Sequence, residues 1–510
     1  MGVIARQSIK GALANYLGVA IGFVTTFFVL TRCLTQEEIG LTRVMVDAAL
    51  LFSCLAQLGT NSSIIRFFPF FKEEGKGNHG IFGWSVLIPF VGFVLFAVIF
   101  FLFREPILGV YMQKSPLIAD YFYLLIPLTF FALYLTVFET NASVLMHITV
   151  PKLVREVGIR VFNLISYILY GKGVISLDLF VVLFCASYGL AMLLNLCYLL
   201  SLGQISFRID WKFIDRSKLK EIVRYTLFMT ATVLAGNIPL INSLFLGAKT
   251  GLALTGVYTI ASYIANVVEV PYRSLGAISR PVISQAVREN NWGEVNRLAQ
   301  QVALHQLLMS CLIFFFIYAN LGDLFSIIPN GTDYAGGIGV VLILGGAKIA
   351  NSSLSVGTDI LNYSRYYPVA LLLIGVLTFS AILFNPLLID FWSINGSACA
   401  TLFSYLLYFA LLLTFLWKKL RVNLIGKGCA KVLLLIGILL GANALWNLTL
   451  QSPLTQIAIG PQWMGALIDA LLRSIVLLAI ALPLMYRLRI SSEVNRLMEE
   501  AMEKIKKQNK

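Results

Sequence analysis

Charged side chains interrupt several long apolar stretches of this sequence. Three acid–base pairs within those stretches are spaced four residues apart, which places both groups on one face of a helix. The ionisable residues inside or beside apolar stretches are Arg43 and Asp47, Glu139, Arg160, Glu269 and Arg273, Lys348 and Asp359, and Asp469 and Arg473. A charge at the centre of a bilayer costs about 3 kcal/mol or more, so such residues usually face a partner or a water-filled cavity.

Two interpretations of these charges stay open at the level of the residues. A self-neutralising pair such as Arg43 and Asp47 can link helices structurally, and an arginine near a helix end can extend its guanidinium to the headgroups. The same groups can instead line a hydrated passage for a polar solute. Asn237 lies in the segment AGNIPLINS beside Pro239, which frees a backbone carbonyl that a cavity could satisfy.

The elements that carry these residues are predicted to be membrane-spanning helices. Of the 510 residues, 58% are hydrophobic and 13% are charged, and a soluble protein has about twice that charged fraction. About fourteen stretches reach the roughly 20 apolar residues that a span requires. They lie near 9–31, 43–66, 81–103, 118–145, 152–170, 177–201, 223–247, 252–278, 300–322, 336–358, 365–388, 391–417, 428–448 and 464–487. The sequence therefore predicts an all-α polytopic membrane protein.

The net charge of +14 is unevenly distributed over the loops. When the loops are assigned alternately to two sides, the side that holds both termini carries most of the Lys and Arg residues. The positive-inside rule then places both termini in the cytoplasm. The basic excess is thus a signal of topology, and no nucleic-acid partner is expected.

The chain is predicted to contain two similar halves. The longest basic loop separates six spans from the next six, and two further spans and a tail follow. Gly40 and Gly59 bracket the second span, and Gly256 and Gly276 bracket the eighth at nearly the same separation. The predicted parts are an N-lobe at 1–202, a cytoplasmic linker at 203–224, a C-lobe at 225–417, two more spans at 418–487 and an amphipathic cytoplasmic tail at 488–510. Repeats of six spans are related by an axis along the membrane normal.

Several chemical classes find no support in the sequence. The seven Cys form no CxxC pair, the three His are scattered, and no GxxxxGK[ST] segment is present. No catalytic Ser/His/Asp arrangement is recognisable. We therefore expect neither a metal site nor a cofactor, and no catalytic residues.

Residues 9–71 carry a more specific pattern. A basic start precedes a helix dotted with polar residues, a turn of the form LTQEEIG, an apolar span that ends in Leu-Gly, and then Ile-Arg and Pro. The residues concerned are Leu34, Thr35, Glu37, Glu38, Gly40, Leu58, Gly59, Ile65, Arg66 and Pro69. This region resembles the opening of bacterial polysaccharide-unit flippases of the O-antigen type. These belong to the multidrug/oligosaccharidyl-lipid/polysaccharide exporter superfamily.

The resemblance implies two six-helix lobes around a central cavity, plus two extra helices. It also implies transport of undecaprenyl-diphosphate-linked oligosaccharide from the inner to the outer leaflet of the bacterial inner membrane, by alternating access, as in lipopolysaccharide biosynthesis. Membrane lipids, a polysaccharide polymerase and glycosyltransferases would be its other partners. For a diphosphate passenger we expect a cationic lining of Arg43, Arg160 and Arg273, held by Asp47, Glu139 and Glu269, with Asn237 also in the cavity.

Two alternatives remain. A drug/cation antiporter of the same superfamily would favour a net-acidic cavity, whereas the charges inside the spans here are mixed. A membrane glycosyltransferase or polymerase would use acids in the first outer loop, such as Glu37 and Glu38, but the outer loops are short.

Overall fold

In the computed structural model, helices are the only regular secondary structure among the described residues. It describes residues 17–18, 20–72, 78–203, 205–206, 208–210, 213–235, 238–449, 462–491, 493, 495–496 and 499–500. Asn237 and most of the predicted amphipathic tail lie outside these residues. Burial of apolar stretches in lipid requires the backbone to satisfy its own hydrogen bonds, which a helix does within one segment.

The helices are numbered here in chain order. They are α1 (Ala20–Cys33), α2 (Gln36–Ala56), α3 (Thr60–Phe71), α4 (Ile81–Leu102), α5 (Arg104–Met112), α6 (Leu117–Tyr121), α7 (Leu125–Val144), α8 (Thr149–Leu153), α9 (Ile159–Gly171), α10 (Leu177–Ser201), α11 (Arg216–Ala235), α12 (Ile238–Lys249), α13 (Leu252–Asn266), α14 (Val270–Arg288), α15 (Trp292–Ala319), α16 (Leu321–Ile327), α17 (Gly331–Tyr334), α18 (Ile338–Tyr363), α19 (Tyr367–Phe415), α20 (Lys427–Thr449) and α21 (Gln462–Leu488).

Ten helices within the described residues are long and apolar enough to cross a membrane. One of them, Tyr367–Leu420, is 54 residues long and holds two of the predicted spans. The backbone leaves helical geometry between those spans, at Trp392 and at Ser393, which has φ 51° and ψ −130°. The structure is thus an all-helical, multi-span membrane protein, and the total of fourteen spans stays a prediction.

The second predicted span, 43–66, is shorter in the structure than in the sequence analysis. Helix α2 ends at Ala56, and Leu58 and Gly59 both adopt positive φ before α3 begins. Gly59 has φ +67°, and a Cβ at this position would collide with the carbonyl oxygen of Thr226. The segment around Leu58 is polar, with Gln57, Gly59, Thr60 and Asn61, which is a turn signal. The span predicted at 43–66 ran through this signal because apolar residues resume at Ile64.

Contacts divide the chain into two compact units, Met1–Thr259 and Ile260–Lys510. In the first unit α7 packs against α2 and α10, and Leu133, Val137 and Leu199 are buried between them. Helices α11 and α12 pack against α2 and α3 in the same unit. The predicted division into six, six and two spans places its boundary elsewhere and stays a prediction.

In the second unit α18 packs against α15 and α19. A separate apolar cluster joins α15 to the last two helices, α20 and α21, through residues that include Leu308, Leu435 and Leu477. The helices predicted to follow the two lobes therefore pack against α15, and α21 also packs against α16.

Candidate functional site

The Arg43–Asp47 pair lies in the first half of α2, where the start of the helix is firmly fixed. The Thr35 hydroxyl accepts from the amide of Glu38, and the Glu38 carboxylate accepts from the amide of Thr35, which completes a capping box. The Tyr170 hydroxyl donates to the same carboxylate at 2.5 Å. Two polar anchors thus set the register of α2 before its charged residues enter the apolar region.

Arg43 and Asp47 form the ion pair that their spacing predicts. The Arg43 Nε donates to Asp47 Oδ2 at 2.6 Å, and the Asp47 side chain is only 2% exposed. Ser243 on α12 donates its hydroxyl to the same oxygen at 2.6 Å. Asp47 therefore joins α2 to α12, and the arginine is held by its own helix.

Glu139 on α7 pairs with Arg155, which lies near the start of the predicted fifth span and was not selected from the sequence as a site residue. The Arg155 guanidinium donates to Glu139 Oε2 at 2.6 Å. Arg155 lies in a π-helical turn, Val154–Gly158, between α8 and α9. The two residues are 16 positions apart, so no helical spacing could have indicated this pair.

Arg160 on α9 is held by two groups within the first unit. It pairs with Glu156 at 3.2 Å and donates to the carbonyl of Gly18 at 2.5 Å. Gly22 leaves the space that the guanidinium occupies, since a Cβ there would collide with it. The Arg160 side chain is still about one third exposed, so part of its surface remains accessible.

In the second unit, Glu269 contacts two side chains of α18. The Lys348 ammonium lies 3.3 Å from Glu269 Oε1, and Asn351 donates its amide to the same oxygen at 2.8 Å. Glu269 and Lys348 are both buried. The predicted pairing of Glu269 with Arg273 falls on a side chain outside those described.

Arg280 on α14 forms a second mixed cluster with α18. Its Nε donates to Asp359 at 3.1 Å, and another guanidinium nitrogen donates to the Tyr272 hydroxyl at 2.6 Å. A Cβ at Gly276 would make ordinary contact with the guanidinium, at 3.4 Å. Arg280 was not selected from the sequence, because it lies just beyond the predicted eighth span, 252–278.

The two units thus carry guanidinium–carboxylate pairs of similar character. Arg155 is 36% exposed and Glu139 21%, while Arg280 is 38% exposed and Asp359 18%. Each carboxylate is therefore more enclosed than its arginine. Such a guanidinium is already oriented by its partner, and its remaining N–H groups have the geometry to bind a phosphate oxygen. Among the described residues, no group of three or more His, Cys, Asp or Glu side chains could hold a metal ion.

Comparison with known proteins gives one family match and several fold matches. A family model described as "Polysaccharide biosynthesis protein" matches residues 4–287. No curated protein sequence matches the chain significantly. Among solved structures, a lipid II flippase MurJ in an inward closed conformation has a TM-score of 0.70 at 11% identity, and the alignment covers 95% of this chain and 100% of that one.

Two multidrug transporter structures have the same general fold. An inward-facing multidrug resistance MATE family transporter of the MOP superfamily has a TM-score of 0.59 at 15% identity, with 79% of this chain and 94% of that chain covered. The MATE multidrug transporter DinF-BH, in complex with R6G, has a TM-score of 0.55 at 16% identity, with 83% and 97% covered. At these identities the likeness establishes the fold.

Proposed function

This chain belongs to the polysaccharide biosynthesis protein family and has the fold of the MOP exporter superfamily, and from this premise we propose that it is a flippase. Its substrate would be an oligosaccharide linked to undecaprenyl diphosphate, carried from the inner to the outer leaflet for surface polysaccharide such as O-antigen. The observation that carries the proposal is the family match, which extends over residues 4–287 and so over more than half of the chain.

The physical task explains why polar groups are needed within the membrane. The lipid tail of such a substrate stays in the bilayer, while its hydroxyls and phosphates must cross. Each hydroxyl without a hydrogen-bond partner would cost about 4 kcal/mol or more in hydrocarbon. A hydrated passage lined by charged and polar side chains lowers that barrier without any chemical reaction, in agreement with a transporter rather than a glycosyltransferase or polymerase.

The residues proposed to contact the substrate are those predicted from the sequence together with the two arginines that the structure adds. Arg155 and Arg280 are partly exposed and already oriented, so we assign them to the diphosphate. Asp47 and Glu269 are buried and would act through the groups they hold. The proposed set is Arg43, Asp47, Glu139, Arg155, Arg160, Asn237, Glu269, Arg273 and Arg280.

The cellular setting is part of the same proposal. The protein would span the bacterial inner membrane with both termini in the cytoplasm, and its two six-helix lobes would enclose the cavity. A polysaccharide polymerase and glycosyltransferases would supply and consume the substrate. An anion that leaves a negative cytoplasm moves with the electric field, which provides about 2.3 kcal/mol per charge per 100 mV. The membrane voltage could therefore drive export.

A vesicle assay tests the proposal. The purified protein is reconstituted into vesicles that contain a fluorescent oligosaccharide on undecaprenyl diphosphate, and an impermeant reagent then modifies the sugar in the outer leaflet. We expect the protein to increase the fraction modified, and an imposed voltage of the right sign to speed this up. No increase over protein-free vesicles would refute the flippase.

The same vesicles distinguish the second candidate, a drug/cation antiporter, which the fold likeness to the MATE transporters favours. Uptake of a cationic dye driven by a proton or sodium gradient, without sugar-lipid movement, would support the antiporter. Deletion of the gene in its host adds an independent result, since a flippase mutant should accumulate lipid-linked sugar on the inner leaflet.

A further inference from the structure

Arg473 on α21 lies in a buried cluster that the proposed transport mechanism does not use. Its guanidinium donates to Asp469 on the same helix and to the carbonyl of Ala319 at the end of α15. It also lies 3.3 Å from Asp323 on α16, and the two side chains are 3% and 8% exposed. The indole Nε1 of Trp446 on α20 donates to Asp469 at 3.0 Å. Four helices therefore meet at one arginine.

The charges in this cluster do not balance. Asp323 and Asp469 face a single guanidinium, so full ionisation would leave one net negative charge among buried side chains. An uncompensated charge in such surroundings costs several kcal/mol, by the general scale of buried ions. Arg473 neutralises one carboxylate, and the second needs another cation or a proton.

The geometry indicates a proton. Asp323 and Asp469 both contact the guanidinium of Arg473, and two buried carboxyl groups held this close share a proton more readily than they both ionise. Among the described residues, the only donor near the buried Asp323 Oδ2 is the Arg473 guanidinium at 3.3 Å, and that contact lacks hydrogen-bond geometry. An Asp323 carboxyl that carries the proton and donates it to Asp469 fits this weak contact.

We propose that Asp323, Asp469 and Arg473 form a proton-binding site, in which the two carboxyl groups share one proton and thereby hold α16 against α21. Loss of the proton would place a negative charge between these helices and weaken their contact. The site lies outside the residues assigned to the substrate, so its role would be to make the attachment of the last two helices depend on pH.

The surroundings of Asp323 support this assignment. Burial is the main cause that raises the pKa of Asp323, to about 6, and the Asp469 carboxylate raises it further while Arg473 opposes the shift. On the neighbouring α17, Asp333 is exposed, and α15 and α20 contribute the Ala319 carbonyl and the Trp446 indole. In the predicted topology α16 lies at the outer end of the spans, so the proton would exchange with the outer compartment.

The sign of the pH dependence follows from linkage. The native state would bind the Asp323 proton more tightly than the unfolded chain, in which the pKa is near 3.8. The stability should therefore fall as the pH rises from that value through about 6, and should change no further from this group at higher pH.

The test is the thermal unfolding of the full-length protein in detergent between about pH 4.5 and 7.5. We expect the wild-type Tm to fall by a few degrees across this range and the fall to be absent in Asp323→Asn, which keeps the shape without the charge. Asp333→Asn, on the exposed side chain of the next helix, is the matched control and should retain the wild-type slope. If the difference in Tm between Asp323→Asn and the wild type is the same at every pH, the proton site is refuted.

A second measurement remains available if Asp323→Asn does not fold. Infrared difference spectra of the wild type between about pH 5 and 7.5 should show a protonated carboxyl band that disappears as the pH rises. The band should be missing in Asp469→Asn, because Asp323 would then ionise beside Arg473, and present in Asp333→Asn. A spectrum without a carboxyl band that titrates in this range would overturn the proposal. No transport substrate is involved, so the result does not depend on the flippase assay.

Discussion

Gly40 and Gly256 occupy matching places in two helices that touch. Gly40 lies four residues after α2 begins at Gln36, and Gly256 lies four residues after α13 begins at Leu252. A Cβ at Gly40 would collide with the carbonyl oxygen of Leu252, and one at Gly256 would collide with that of Gln36. The first residue of each helix thus packs directly against the glycine of the other helix. The two glycines are also the ones that the sequence analysis paired as marks of an internal repeat.

This reciprocal contact between each glycine and a backbone carbonyl leads to a first prediction about stability. Gly40→Ala and Gly256→Ala should each lower the free energy of unfolding by about 1–3 kcal/mol, because a methyl group cannot enter without moving a backbone carbonyl. The measurement is thermal unfolding in detergent. Gly346→Ala on α18 is the matched control, since nothing lies within 4 Å of a Cβ there, and alanine should be neutral or favourable in that helix. Equal effects of the three substitutions would contradict the reciprocal contact.

A second prediction concerns the carboxylate that links α2 to α12. Asp47→Ala should destabilise the protein by about 3 kcal/mol, because it leaves the Arg43 guanidinium without its buried partner. Ser243→Ala removes one hydrogen bond to the same carboxylate and should cost about 1 kcal/mol. Unfolding in detergent measures both.

The control for this pair is Glu294→Ala, which breaks an exposed ion pair with Arg297 at the start of α15. Exposed ion pairs contribute little to stability, so its effect should be much smaller than that of Asp47→Ala. If Asp47→Ala proves no worse than this control, Asp47 is not the link between α2 and α12.

What the sequence could predict depended on whether the partners were local. The pairs Arg43–Asp47 and Asp469–Arg473 follow from helical spacing, and both are present. The partners of Glu139 and Glu269 lie 16 and 79 residues away in the sequence. These pairs depend on how the helices pack, which the spacing of residues along one helix does not reveal. The topology indicated by the charge distribution stays a prediction. Arg155 and Arg280 were not selected from the sequence, because their carboxylate partners Glu139 and Asp359 lie on other elements.

The helix boundaries also show what the sequence predicted and what it missed. Hydropathy located the apolar segments, and the family resemblance over residues 9–71 agrees with the family match. The break at Leu58–Gly59 carried a signal in Gly59, which adopts positive φ readily, although the predicted span ran past it. The break at Trp392–Ser393 carried no such signal, because positive φ is uncommon for serine. The proton-sharing cluster was visible only as the pair Asp469–Arg473, since Asp323 appeared to belong to a loop.

A third prediction is a double-mutant cycle on Glu269 and Lys348. Lys348→Met should lower the free energy of unfolding by about 3 kcal/mol, because it removes the cation beside the buried Glu269 carboxylate and leaves the Asn351 amide as the remaining partner among the described side chains. The double variant Glu269→Gln/Lys348→Met should recover most of this loss, since a neutral amide no longer needs a cation. The cycle gives the coupling between the two residues directly. Additive effects of the two single substitutions would show that the pair is not energetically linked.

The last prediction tests the assignment of Arg280 to the diphosphate, in the vesicle flipping assay. Arg280→Gln should slow transport about tenfold, since one charge-assisted contact to phosphate contributes on the order of 1.5–3 kcal/mol. Arg280→Lys keeps the charge but loses the planar fork, so its rate should lie between those of Arg280→Gln and the wild type. Asp359→Asn leaves the arginine charge uncompensated and should strengthen binding of undecaprenyl diphosphate while it weakens the hold on the guanidinium.

Arg297→Gln, on an exposed ion pair at the start of α15, is the matched control and should transport as the wild type does. Unfolding in detergent separates a loss of fold from a loss of binding, and a rate for Arg280→Gln equal to that of Arg297→Gln would remove Arg280 from the substrate path.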